Sequence, residues 1–265
     1  MRRALDLVRS VLFLPASNPR AIGHARESAA DLVILDLEDA VRPEDKEDAR
    51  SAAVEAVAAD WPMPVAIRLN GVGSEWHSLD VDAVARSDAA FAVLPRASSA
   101  HLVHEVAEAV SKPMLAMIET AGGVLAAAQI APECAALIAG TNDLRAELRV
   151  PTGKDRSAIS TALQTIVLAA RAAGIAVFDG VFNDLEDLDG FAAECAEGRR
   201  FGFDGKSLIH PRQIEPCNRA FSPGEEELAR ARRLVEDYGG GAERFEGEMI
   251  ERMHVEAARR LLDRA

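Results

Sequence analysis

Eight times along this chain a short apolar run ends in a turn and gives way to helical periodicity. The runs cover residues 11–14, 32–35, 65–69, 90–94, 114–118, 136–139, 175–178 and, more weakly, 203–209. Each is too short for a helix, and all but the last are mainly apolar rather than alternating, the pattern of a parallel strand covered on both faces. Strands that alternate with helices predict a parallel sheet. Eight of them in about 210 residues predict an α/β chain closed into a (β/α)₈ (TIM) barrel, whose usual length is about 250 residues. The barrel is expected over residues 1–221. Residues 222–265 then form a C-terminal helical extension, with helices over 225–238 and 249–264 on either side of a flexible Gly239-Gly240-Gly241 break. Leu228, Leu234, Val235, Leu261 and Leu262 give that extension a face to bury, and the expected cover is a neighbouring subunit.

Composition narrows the function. Apolar residues make up 49%, enough for a large core, and the formal charge of −13 argues against a nucleic-acid partner. An anionic substrate stays possible, because a local basic patch can sit in an acidic protein. Cys134, Cys195 and Cys217 form no CxxC pair, so neither a zinc ribbon nor a dithiol motif is indicated. No run reaches the ~18 apolar residues of a membrane span, and residues 1–10 lack the apolar centre of a signal peptide. The expectation is a cytoplasmic protein without a membrane partner. No GxGxxG opens a helix and no GxSxG elbow occurs, so neither a nicotinamide cofactor nor a serine nucleophile is indicated.

Active sites of such barrels lie at the carboxyl ends of the strands. Those ends carry Asp36, Glu38 and Asp39 after the second run, Arg68 in the third and Arg96 after the fourth. Glu119, Asp143, Asp179 and Lys206 follow at the later ones. Glu119 and Asp143 each end an apolar run and are flanked by small residues, which let a ligand approach the backbone. Two such acids suit Mg²⁺, which takes one or two carboxylates and leaves its other positions to water and substrate. Arg68 either neutralises the surrounding acids or binds an anion. Glu38 and Asp39 either serve the site or cap the following helix.

The motifs Leu35-Asp36-Leu37-Glu38-Asp39-Ala40-Val41 (with Lys46 and Ala49-Arg50 beyond), Ile67-Arg68-Leu69-Asn70, Ile118-Glu119-Thr120 and Gly140-Thr141-Asn142-Asp143-Leu144 stand in register. Gly205-Lys206-Ser207-Leu208-Ile209-His210-Pro211, Phe221-Ser222-Pro223 and Gly247-Glu248-Met249-Ile250 follow. Together they resemble the HpcH/HpaI aldolase–citrate lyase β-subunit family over essentially the whole chain. The resemblance implies a Mg²⁺-dependent carbon–carbon lyase that cleaves or forms a 3-hydroxyacyl-CoA thioester such as citryl-, malyl- or citramalyl-CoA. Other branches imply an aldolase on a free 2-oxo acid, or a subunit acting on a carrier-bound acyl group. By the same resemblance, Glu119 and Asp143 hold the metal, Arg68 binds the substrate's carboxylate and reacting oxygen, and Glu38 and Asp39 order the metal's waters. The segment 15–20, with Asn18 and Arg20, lies near the CoA. Glu251 stands where many members carry an aspartate that transfers a proton from a neighbouring subunit. A homo-oligomer, trimer or hexamer, is implied as well. Arg20, Arg26, Arg230, Arg232 and Arg233 are the candidate cations for the CoA phosphates.

Overall fold

The computed structural model describes residues 5–151 and 153–264. Eight parallel strands close into a barrel in sequence order, β1 (Ser10–Pro15), β2 (Leu32–Asp36), β3 (Val65–Arg68), β4 (Phe91–Leu94), β5 (Met114–Ile118), β6 (Ala136–Ala139), β7 (Ala176–Asp179) and β8 (Gly205–Leu208). β8 returns to pair with β1 through Ser10↔Lys206, Val11↔Ser207 and Leu12↔Leu208. The predicted barrel and all eight predicted strands are present. Ile34, Ala66, Val93, Leu115, Ile138 and Phe178, from six different strands, gather in one buried cluster. Fully burying a Val, Leu, Ile or Phe side chain is worth about 1.5–3 kcal/mol, so a core drawn from so many strands favours the closed sheet over an open one.

The barrel helices are α1 (Pro19–Arg26), α2 (Lys46–Val57), α3 (His77–Ala85), α4 (Ala100–Val110), α5 (Ala121–Ile130), α6 (Thr141–Glu147), α7 (Ser160–Ala173) and α8 (Leu188–Phe201). Their starts follow capping chemistry. Asn18 Oδ1 accepts from Ala21 N at 3.1 Å with Pro19 at the first position, and Thr120 Oγ1 accepts from Gly123 N at 3.0 Å. Gly174, at φ +65°, ends α7. α8 begins at Leu188, capped by Asp187, and the preceding Asp184 pairs with Lys154 at 2.9 Å. No helix among the described residues is long and apolar enough to cross a membrane.

The chain divides into two compact units, Met1–Asn218 and Arg219–Ala265, with the division inside α9 (Ile214–Phe221). The second unit holds α10 (Glu225–Asp237), a hairpin of β9 (Glu243–Phe245) and β10 (Glu248–Ile250), and α11 (Arg252–Leu262). Leu234, Phe245, Ile250 and Val255 form its core, with Val235, Leu261 and Leu262 packed against them.

Two expectations fail here. The helix expected from residue 249 starts only at Arg252, and residues 248–250 are strand, because Glu246 and Gly247, at φ 49° and 91°, form the left-handed two-residue turn of a tight hairpin. The glycine run is no loose break either. Gly239 N donates to Glu243 Oε1 at 2.9 Å, and Tyr238 Oη donates to Gly241 O at 3.0 Å.

Candidate active site

At the carboxyl ends of the strands a cavity of about 380 Å³ opens, lined by Asp36, Asp39, Arg68, Glu119, Thr141 and Asp143 among others. Arg68 closes β3 directly opposite Asp36, which closes β2. Arg68 is 8% exposed, and its Nε and Nη2 donate to the two carboxylate oxygens of Asp36, both at 2.6 Å. This bidentate pair fixes the plane of the fork. Nη1 is turned toward Glu38 Oε2 at 2.9 Å, outside hydrogen-bond geometry, and Asp39 Oδ2 at 3.8 Å. The Phe13 ring lies 5.5 Å from the guanidinium carbon. Burial opposes the charge on Arg68, but Asp36, Glu38 and Asp39 more than offset it and raise its pKa above the ordinary value.

Glu119 follows β5 and is buried. Its Oε1 accepts from the backbone N–H of Arg96 at 2.7 Å, a bond that Arg96 makes from the left-handed region at φ 52°. Its other side is pressed against Gly140, where an added Cβ would run into Cβ and Oε2 of Glu119. Thr120 next to it starts α5, and Asp143 sits in the first turn of α6, on the neighbouring strand's exit. Sequence reasoning overlooked α6.

The electrostatics are unbalanced toward negative charge. Burial pushes the Glu38 carboxyl up to about 8; Arg68 pulls it back, while Asp39, Glu119 and Asp36 add repulsion. Burial also pushes Glu119 up to about 7, opposed by the Arg96 N–H and Arg68 and reinforced by Asp143. Asp36, Glu38 and Asp39 share one buried guanidinium, and Glu119 and Asp143 line the same cavity. Carboxylates that resist ionisation in a polar cleft fit a divalent cation, which would supply the missing positive charge. No group of three or more His, Cys, Asp or Glu side chains that could hold a metal ion gathers among the described residues. Two carboxylates, with the remaining positions left to water and substrate, are a donor set that Mg²⁺ accepts.

Other expected residues lie elsewhere. Asn18 and Arg20 are exposed at the start of α1 and do not line the cavity, although Pro15 does. Glu251 is exposed in the C-terminal unit as the N-cap of α11. The proposed phosphate cations Arg230 and Arg233 are engaged by acids of their own unit: Arg230 by Glu246 and Glu248 at 3.1 and 2.7 Å, Arg233 by Glu246 at 2.7 Å. Arg26 stacks over Trp61 at 5.0 Å.

Two features escaped the sequence. Asp36 proves to be the bidentate partner of Arg68. Asp179 and Lys206, both 0% exposed, belong to a buried network with Arg156 and Glu194: Lys206 Nζ is 2.7 Å from Glu194 Oε1 and 3.2 Å from Asp179 Oδ2, and Arg156 grips Asp179 at 2.7 and 2.8 Å. The signal for the network was a lysine inside a buried strand, which needs buried acids nearby.

The family model described as HpcH/HpaI aldolase/citrate lyase matches residues 9–211. A (3S)-malyl-CoA thioesterase of Cereibacter sphaeroides is 42% identical over 97% of this chain and 94% of its own length. The citrate lyase subunit beta of Leuconostoc mesenteroides subsp. cremoris is 32% identical over 97% of this chain and 92% of its own. Among solved structures, the protein CitE from Mycobacterium tuberculosis in complex with magnesium, acetoacetate and coenzyme A superposes with a TM-score of 0.86 at 33% identity, covering 98% of this chain and 99% of that one. Barrel, rim and these likenesses agree: the chain belongs to the HpcH/HpaI aldolase/citrate lyase family.

Proposed function

We propose that this protein is a Mg²⁺-dependent carbon–carbon lyase that cleaves or forms a malyl-type 3-hydroxyacyl-CoA thioester, yielding an acyl-CoA and a 2-oxo acid. The observation that carries the reading is the acid-rich rim: Glu38 and Glu119, pushed to about 8 and about 7 by burial and crowding, beside one fixed guanidinium. Glu119 and Asp143 would hold Mg²⁺, which when bound supplies Lewis-acid polarisation of the hydroxy-acid end. Arg68, locked by Asp36, binds the substrate's carboxylate and meets the charge that develops on the reacting oxygen. Glu38 and Asp39 hold water beside the cation. The backbone and side chains from Pro15 through Asn18 to Arg20 guide the CoA arm. Glu251 moves the proton, supplied by a second copy of the chain in a homo-oligomer. One methylene longer than aspartate, it reaches further at the same position.

A second reading keeps the substrate and changes the bond. Hydrolysis of the thioester is favoured by the names of relatives at 40–42% identity, all (3S)-malyl-CoA thioesterases. One assay separates the two. Purified protein is incubated with Mg²⁺ and malyl-, citramalyl- or citryl-CoA, with an EDTA control, and 2-oxo acid, acyl-CoA and free thiol are followed together. EDTA-sensitive release of 2-oxo acid and acyl-CoA in equal amounts, without thiol, is expected. Free thiol with intact hydroxy acid replaces the lyase reading by hydrolysis. No turnover of any thioester overturns both.

A further inference from the structure

Lys46 opens α2 and is 6% exposed, although no acid forms an ion pair with it among the described residues. Its ammonium has three protons and three acceptors: Leu37 O at 2.6 Å, Glu38 O at 2.7 Å and Asn70 Oδ1 at 2.6 Å. The Trp76 ring covers it at 5.0 Å. Two of the acceptors are consecutive carbonyls of the loop after β2, and the third is a side chain from the loop after β3. An ammonium is a point donor with three protons arranged around one nitrogen, so a single group ties both loops together.

Asn70 is itself held. Its backbone N and its Nδ2 donate to Asp80 Oδ2 at 2.9 and 2.6 Å, and Asp80 Oδ1 accepts from Arg50 Nε at 2.7 Å. Asp80 is 0% exposed. A chain of hydrogen bonds thus runs from α3 through Asp80, Asn70 and Lys46 to the backbone of residues 37 and 38. None of Lys46, Asn70 and Asp80 lines the cavity. Glu38 and Asp39, however, project from the backbone that the ammonium holds. Arg68 Nη1 lies 2.9 Å from Glu38 Oε2 and 3.8 Å from Asp39 Oδ2, so the position of this backbone sets how both acids face the guanidinium.

We propose that Lys46, backed by Asn70 and Asp80, is a positioning residue that keeps Glu38 and Asp39 at the rim beside Arg68. The proposal rests on the Mg²⁺ reading of the same site. It assigns Lys46 a role that a merely stabilising buried cation would not have, because the loop it ties down carries the acids that hold the cation's water.

The test compares Lys46→Met, Lys46→Arg and Arg171→Met with the unaltered protein. Arg171 pairs with Asp204 at 2.8 Å and controls for loss of a charged anchor elsewhere in the barrel. Calorimetric titration of the metal-stripped protein gives Mg²⁺ affinity, hydrogen exchange reports on residues 37–41, and steady-state kinetics separate kcat from KM. Lys46→Met is expected to weaken Mg²⁺ binding by about 10–100-fold, the usual cost of losing an outer-shell partner, with faster exchange at 37–41. It should lower kcat while leaving the thioester KM within about twofold, since the loop holds no CoA-binding group. Lys46→Arg keeps the charge but spreads its donors over a planar fork, and should recover only part of the loss. It also reads out the proposal if Lys46→Met does not fold. Mg²⁺ affinity within about twofold of the unaltered protein in Lys46→Met, full recovery in Lys46→Arg, or an equal loss in Arg171→Met would each overturn the positioning role. If the unaltered protein binds Mg²⁺ and Lys46→Met matches it, only this inference falls. If the unaltered protein binds none, the proposed function falls too.

Discussion

Glu119 couples the proposed chemistry to stability. Its folded-state carboxyl is pushed from 4.5 up to about 7, chiefly by burial. Between those values the folded chain holds a proton that the unfolded chain has released, so stability falls as pH rises through the window. Glu38, raised to about 8, extends the same slope upward. The metal-free protein should therefore melt at a lower temperature at about pH 7.5 than at about pH 5.5, and Mg²⁺ should raise the midpoint more at the higher pH. Glu119→Gln should flatten the lower part of the slope and reduce the Mg²⁺ effect. Identical slopes in the two proteins, read by calorimetric melting, would remove Glu119 as its source. Arg68 works the other way: its three acids keep it charged across this range, and it provides a constant positive pole.

At the scale of elements, the site depends on how closely strand ends approach. Glu119 at the exit of β5 fits only because Gly140, at the exit of β6, has no side chain. Gly140→Ala should rotate Glu119 away from the cavity, and Mg²⁺ affinity by calorimetry should fall by at least about tenfold, as for loss of a partner that orients a ligand. Far-UV dichroism should be unchanged, since residue 140 takes an ordinary negative φ of −95°. Unchanged affinity would mean that Glu119 does not need its present rotamer. The eight strands and the acids at their ends were legible in the sequence because apolar runs of four or five residues have one reading when helices separate them. The pairing of Asp36 with Arg68 was not, because it depends on the register of β2 against β3, which periodicity does not encode. Met249 misled for a related reason. Its apolar neighbours satisfy a helical spacing, and only the left-handed turn at Glu246-Gly247 betrays the hairpin.

For the molecule as a whole, a second set of buried charges lies beyond the proposed chemistry. Lys206, Asp179, Arg156 and Glu194 link β7, β8, α8 and the segment before α7 in one buried network. Burial opposes ionisation of Asp179, yet Lys206 and Arg156 hold its pKa below the usual carboxylate range. Lys206→Met would leave Glu194 without its shortest partner and Asp179 with Arg156 as its one remaining cation. A loss of about 3–5 kcal/mol is expected in urea unfolding, the cost of stranding buried charge. A loss below about 1 kcal/mol would show that Arg156 alone suffices.

The return of β8 to β1 also sets an order on synthesis. The first barrel strand to leave the ribosome keeps one edge unpaired until the last emerges, and through that interval the growing sheet can recruit a neighbouring nascent chain. The strand that ends this exposure is the least apolar of the eight, Gly205–Leu208, with a lysine at its second position. Such a strand joins a stranger's edge poorly, because its ammonium would be buried without acids to receive it. In its own barrel, Asp179 and Glu194 have been translated before it and are ready to meet it. The barrel is thereby finished by the strand that discriminates most strongly between its own partners and another molecule's.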